Sequence, residues 1–494
     1  MQNTSNFFNE FSDKSSCQNS GMCSIDPSSY ALEELLLNEI KQIAFYVVKL
    51  EEFGTLNDTK NIQDIIYFAI KAMTVIIVNT AIRLDDYKEL LYTLEKNKTQ
   101  IKEGYLNCCK TRKIKYELVE NAQKLPQNPT LTNILKAGEA IVIEKRKEYE
   151  PKKLNLIELI IIFAKTSAIN IEKLHHLNFS DFKLNYEILK FLNLTNIPAL
   201  KKEKLKKKIC DFSCTSLEIW KKLIEKTENK YGTRQNAEIN LKIKGGKSIL
   251  VSGSDLDELE KLLEATKDEN INIYTNSTLF MAFAYPHFLK YKNLIGHFGG
   301  ENPQIDFTNF KGPIFATQNF LQKVDYFRRG TIYTTKIIAP EKMVRIDNYD
   351  FTPLINNALQ SEGFTNDDAK GGEKITLEYN KNKIDEIIKN AKDKDLCVIV
   401  GSYKKDEILK RFSDCTSIHL DSPVEVQLLI YILENAECEN INLVFTHCGP
   451  NTINMLLSTL YKNPKKIYFA KCPNSLINPH ITSALKEEFG IDTV

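Results

Sequence analysis

Between positions 26 and 232 the apolar residues recur at helical spacing and almost never alternate. Leu32, Leu35, Leu36, Ile40, Ile43, Ala44 and Val47 share one face of a 3.6-residue period, after Asp26-Pro27 and before Gly54. An Asp followed by Pro supplies an N-cap and a first-turn residue that needs no N–H, and Gly marks the stop. Further periodic segments over 61–83, 86–97, 131–148, 155–177, 185–192 and 215–230 predict a helical bundle.

The pattern changes at Lys244-Gly245-Gly246. Residues 248–252 (SILVS) predict a strand, 255–264 an amphipathic helix and 271–275 (INIYT) a second strand, which is a βαβ unit with parallel strands. Strand-like pieces follow at 313–317 and 331–338, and the polar, Gly-rich stretch 363–374 predicts a linker. A second alternating series has strands at 397–401, 416–420, 441–446 and 466–470, with helices at 404–412, 424–436, 451–461 and 479–489. The expectation is a multidomain α/β protein. A helical bundle domain over 1–232 precedes two Rossmann-like, doubly wound parallel-sheet domains over 233–365 and 366–494.

Composition narrows the partners. The chain has 494 residues, 66 Lys plus Arg against 64 Asp plus Glu, so neither a nucleic acid nor an anionic membrane is expected as partner. The basic run 201–208 (KKEKLKKK) reads as an anion patch or, more in keeping with that balance, as a solvated helix face or loop. Eleven scattered cysteines, an odd count, suit thiols in a reducing compartment. Met1 to Lys14 is polar with two acidic residues and resembles no leader, and the apolar stretch Ala72 to Ile82 is about half a bilayer span. A soluble, cytoplasmic protein is expected.

In doubly wound sheets ligands bind outside the carboxyl ends of the strands. The loops there hold Gly253-Ser254, Asn276-Ser277-Thr278, Asn319-Phe320, Ser402-Tyr403 and His447-Cys448-Gly449. These are mostly hydroxyls, amides and aromatics, whereas a metal centre needs thiolate, imidazole or carboxylate at several of them. His447-Cys448 alone cannot complete a shell, and as a Cys–His nucleophile the adjacent pair is poorly placed. Gly253 opens a helix that could hold an anion, but the three-glycine nucleotide fingerprint is missing. Cys210 and Cys214 lie one helical turn apart without evident partner ligands, adjacent Cys108-Cys109 read as helix-surface or core thiols, and His175-His176 read as a C-terminal helix cap.

At these residues the chain resembles the hybrid cluster proteins, also called prismane proteins or hydroxylamine reductases, distant relatives of carbon monoxide dehydrogenases. The likeness is strongest over Tyr231 to Phe364, in Gly246-Lys-Ser-Ile-Leu-Val-Ser-Gly-Ser-Asp-Leu-Asp-Glu-Leu, Asn272-Ile-Tyr-Thr, Ala284-Tyr-Pro and Phe310-Lys-Gly-Pro-Ile. It also covers Cys17 to Gly54 and, more weakly, Ile441 to Ile491. The resemblance implies reduction of hydroxylamine or nitric oxide on an iron–sulfur–oxygen cluster held by His, Glu and Cys, with a second cubane cluster near the N-terminus.

The ligands that the resemblance implies are replaced. The family's Ser-Gly-His-Asp reads here Ser252-Gly253-Ser254-Asp255, and its Thr-His-Gly-Glu reads Thr275-Asn276-Ser277-Thr278. Its Asn-Cys aligns with Asn319-Phe320, and its Gly-Gly-Cys-Asp with Gly401-Ser402-Tyr403-Lys404. Its Gly-Gln-Cys-Asn-Asp aligns poorly with Asp421-Ser422-Pro423-Val424-Glu425, and its Glu-Gln-Lys with Gly449-Pro450-Asn451. Cys17 and Cys23, in the loop 17–23, match the last two of the family's four cubane cysteines, either as a residual iron–sulfur site or as two free thiols.

The expectation is a divergent, cluster-deficient homologue without a cofactor, acting in binding or assembly as a homo-oligomer or with an intact family member. The alternative is an active iron–sulfur oxidoreductase with a rebuilt metal site. The aromatics Phe280, Phe283, Phe320 and Tyr403 are expected to fill the emptied cavity, because cores tolerate voids poorly. An open apolar pocket with convergent polar groups would instead mark a small-molecule site.

Overall fold

A computed structural model describes residues 27–56, 60–75, 84–119, 130–299, 303–317, 332–336, 343–365, 368, 374–377, 379, 381–391, 395–401, 405–420, 426–436, 440–446, 450–460, 466–469 and 479–493. Among the described residues seven α-helices come first: α1 (Pro27–Glu52), α2 (Lys60–Val75), α3 (Leu84–Arg112), α4 (Leu131–Glu148), α5 (Pro151–His176), α6 (Phe182–Asn193) and α7 (Lys202–Tyr231). The basic run 201–208 is the opening of α7. Leu205, Ile209 and Phe212, spaced by four and three, form a buried stripe that the lysines obscure in sequence.

Helix α5 is central. It is long and apolar enough to cross a bilayer by composition, yet 83% of its most apolar stretch is buried inside the protein. It packs against α2, α6 and α7 and against two helices from the far end of the chain, α14 (Pro450–Ser458) and α15 (Pro479–Phe489). The helical segment and the last α/β segment therefore share one continuous hydrophobic core.

Buried Asn454 of α14 ties that core together. Its amide donates to Thr166 Oγ1 and Ser167 Oγ of α5, both at 3.0 Å. Its carbonyl oxygen accepts from Trp220 Nε1 at 2.7 Å and Ser216 Oγ at 3.1 Å, both on α7. A buried amide is tolerated because both of its ends are satisfied.

Two parallel sheets follow. The first holds β2 (Lys247–Ser252), β3 (Ile271–Asn276), β4 (Leu294–His297), β5 (Ile314–Ala316), β6 (Ile332–Thr334) and β7 (Met343–Arg345) in the order β4-β3-β2-β5-β6-β7. The chain starts at β2 and winds outward both ways, so the strand order reverses between β2 and β5. The second holds β9 (Leu396–Val400), β10 (Thr416–Leu420), β11 (Ile441–Phe445), β12 (Lys466–Phe469) and β13 (Asp492–Thr493) in the order β10-β9-β11-β12-β13, which reverses between β9 and β11.

The strands foreseen at 248–252, 271–275, 397–401, 416–420 and 441–446 match β2, β3, β9, β10 and β11 closely. The three- and four-residue strands β4 and β7 were too short to carry a period. A small antiparallel ladder pairs β1 (Ala237–Ile239) with β8 (Ile375–Leu377), so the segment after α7 meets the segment beyond the Gly-rich stretch. Part of that stretch, expected to be a free linker, is pinned instead. Phe364 bridges Gly246, and Lys311 Nζ holds both oxygens of the Asp368 carboxylate at 3.0 and 2.9 Å.

Candidate functional site

The first topological switch point is built by β2, β3 and β5. Gly253 leaves β2 at φ +137°, a conformation that side chains rarely adopt. The backbone N–H groups of Ser254 and Asp255 then donate to Thr317 Oγ1, just past β5, at 3.2 and 3.3 Å. Asp255 caps α8 (Leu256–Ala265), its Oδ1 accepting from Asp257 N and Glu258 N. Past β3, Thr278 Oγ1 donates to the Gly253 carbonyl at 2.9 Å, joining the two loops. Ser277 stands at the glycine position of the Thr-His-Gly-Glu pattern and keeps a left-handed backbone, φ +58°.

A cavity of about 100 Å³ opens beside this switch point. Ser254, Asp255 and Asp257 line one side, Thr278, Met281 and Tyr285 another. Lys173 and Leu177 enter from α5, and Trp220, Leu223, Thr227 and Tyr231 from α7. Val426, of α13 (Val426–Asn435), and Asn451, of α14, close it from the side of the second sheet. Ser254, Thr278 and Asn451, three of the positions aligned above with the family's motifs, thus converge on one pocket lined by all three segments of the chain.

Next to the cavity lies a buried ionic network. His176 Nδ1 meets Asp255 Oδ2 at 2.7 Å. Lys336 Nζ lies 3.4 Å from Glu172 and 3.6 Å from Glu258, and Thr335 Oγ1 donates to Glu258. Burial raises the Asp255 carboxyl, but the His176 hydrogen bond and charge, helped by Lys336, outweigh it and hold Asp255 well below the usual range. For His176 burial works downward, and Asp255 overcomes it and raises the imidazole. His175 and His176 stand in the last turn of α5, as foreseen, and each makes a further contact. His176 crosses to the first sheet, and His175 stacks on Tyr67 with centroids 3.9 Å apart.

Glu258 is pushed up to about 7, by burial first and then by the Asp255 charge, against Lys336. Burial pushes the Lys173 amine down to about 8, with Lys336 adding to it and Asp255 opposing.

Among the described residues one group of three potential metal-binding side chains gathers. His176, Asp255 and Asp257 offer atoms within 4.8 Å of one another. All three are already engaged, His176 with Asp255 and Asp257 with Lys230 at 2.7 Å and Lys261 at 2.6 Å. Two ammonium groups on one carboxylate neutralise the charge that a cation would need.

Cys17, Cys23, Phe320, Tyr403, Pro423, His447 and Cys448 lie outside the described residues. Cys210 and Cys214 sit one turn apart on α7, half-buried and exposed, and burial raises the Cys210 thiol. Phe280 and Phe283 do not line the cavity, whose aromatic wall is Trp220, Tyr231 and Tyr285. Lys173 was missed in sequence. Its only signal is a charge inside an apolar helical pattern.

The Prismane/CO dehydrogenase family profile matches residues 12–407. The hydroxylamine reductase of Syntrophobacter fumaroxidans is 25% identical over 389 residues, covering 77% of this chain and 69% of that protein. With the profile spanning most of its length and the motif loops meeting at a shared pocket, the chain belongs to the Prismane/CO dehydrogenase family.

Proposed function

We propose that this hydroxylamine reductase-like protein works without an iron–sulfur–oxygen cluster, as a non-catalytic homologue whose inter-lobe cavity binds a ligand. The observation that carries the reading is the chemistry at the two described sheet-loop positions. Ser254 and Thr278 present neutral hydroxyls, and that of Thr278 is already donated to Gly253. Iron clusters are held by anionic or imidazole donors, and Phe320 and Pro423 offer no donor atom at all. The residues at these positions do not fit the family's cluster.

A rebuilt metal site at His176, Asp255 and Asp257 would need His176 freed from Asp255, and Lys230 and Lys261 displaced from Asp257. Charge balance agrees with a cytoplasmic role without nucleic acid or membrane, and assembly with an intact family member remains part of the reading.

Iron and acid-labile sulfide analysis of anaerobically purified protein tests this. The expected protein is colourless, with far less than one iron per chain. A brown protein that keeps several irons and its visible absorption through gel filtration would overturn it.

A further inference from the structure

Several polar side chains on the cavity wall are uncommitted among the described residues. Those of Lys173, Ser254 and Asn451 line the pocket with no hydrogen bond or ion pair to a described residue, and the Tyr231 hydroxyl on the same wall is buried without a partner. Neighbouring basic groups are paired, Lys336 with Glu172 and Lys230 with Asp257. An unpaired amine in a partly apolar site is costly, and several unpaired polar groups lining one void mark a ligand site.

Charge selects the ligand. Asp255 and Asp257 line the same cavity with their charges already offset by His176, Lys230 and Lys261, so the wall offers little free charge to draw an ion, and protonated Lys173 disfavours a cation. Leu177, Trp220 and Leu223 supply an apolar wall. The volume of about 100 Å³ has room for about seven water-sized groups.

Resting on the reading of an emptied cluster cavity, we propose that this pocket takes a small neutral aldehyde or ketone and that Lys173 captures it as a Schiff base. The Nζ lone pair adds to the carbonyl carbon, and a proton passes from nitrogen to the carbonyl oxygen. The carbinolamine then loses that oxygen with the second N–H proton as water, leaving C=N. No oxidant or reductant is consumed, and water reverses the step. Ser254 and Asn451 are placed to hydrogen-bond the carbonyl oxygen or the water that leaves.

The form of the amine supports this. Burial and Lys336 lower Lys173 to about 8, while Asp255 and Glu172 oppose the shift. At neutral pH on the order of a tenth of such an amine is unprotonated, against less than a thousandth of an exposed lysine.

The test treats the full-length protein with substoichiometric pentanal, using sodium cyanoborohydride as the trapping hydride donor, and maps adducts by peptide mass spectrometry. Lys173 is expected to carry the adduct at least tenfold over exposed Lys267, with a rate rising through about pH 8. Emission of Trp220, the single tryptophan, is expected to change with pentanal in the parent chain and not in K173R. Chemical denaturation of K173R and K173M establishes that both are folded. Labelling of Lys173 no faster than Lys267, in iron-free folded protein, overturns the proposal and leaves the cluster-deficient reading standing. Iron-loaded protein in the same preparation sinks that reading, and this one with it.

Discussion

Thr278 Oγ1 donates to the carbonyl oxygen of Gly253 at 2.9 Å, so the side chain at the family's Glu ligand position ties down the loop that carries its His ligand position. At the position that the resemblance matches to the family's Glu, the side chain serves here as a loop strut. Thr278→Val keeps the shape and removes the donor, which should cost about 1 kcal/mol. Urea denaturation of the variant checks this, and an unchanged midpoint would show that the bond contributes nothing. Iron content should stay as in the parent.

Ser277 is strained for a reason that the neighbouring loop supplies. Its φ of +58° lets the chain turn from β3 into the 3-10 segment Ser277–Ala284. A left-handed residue with a Cβ costs about 1–2 kcal/mol, part of which glycine returns as unfolded-state entropy. Ser277→Gly should therefore raise stability by about 0.5–1 kcal/mol, read as a higher thermal midpoint. A lower midpoint would mean that the serine side chain holds something essential.

Glu258 makes stability pH-dependent with a definite sign. Its carboxyl lies at about 7 in the folded chain against an ordinary 4.5. The folded state then binds more protons than the unfolded one between those values. Its contribution is full below 4.5 and is lost as pH rises through about 7. Raised His176 gives stability below its ordinary 6.5 that is also lost upward, whereas lowered Asp255 gives stability above 3.8 that is lost in acid. Denaturation at about pH 5 and about pH 7.5 should show the parent weakening and Glu258→Gln weakening less. Equal slopes would place the titration elsewhere.

Asn454 couples the two ends of the chain to the pocket wall, because its carbonyl oxygen holds the indole of Trp220. Asn454→Ala strands Trp220 Nε1 in a buried site, while Thr166, Ser167 and Ser216 keep other partners, at a cost of about 1–3 kcal/mol. Denaturation reports the loss, and the sole tryptophan reports it locally through a shifted emission. Retained stability with unchanged emission would show that the network is dispensable.

Helices and central strands were legible because their evidence is local. The 155–177 pattern and the SILVS and INLVF runs carry their period in consecutive residues, and α5, β2 and β11 follow. The basic run 201–208, read as a solvated helix face or loop, is the solvated face of the start of α7, and what composition concealed was Leu205 turning inward. Of the aromatics expected to fill the void, Phe280 and Phe283 were chosen by sequence neighbourhood, yet among the described residues Trp220, Tyr231 and Tyr285 form the wall, because distant helices decide which rings face inward.

The sequence by itself determined the main helices and the central strands with their parallel pairing, and it fixed which donor atoms stand at the motif positions, since residue identity alone says what a side chain can offer. Only the tertiary structure decided that Ser254, Thr278 and Asn451 share one cavity with Lys173, that His176 belongs to Asp255, and that the helical and final α/β segments form one core. Those contacts join residues tens to hundreds of positions apart. Chain connectivity fixes what each residue is, and packing chooses which residues meet.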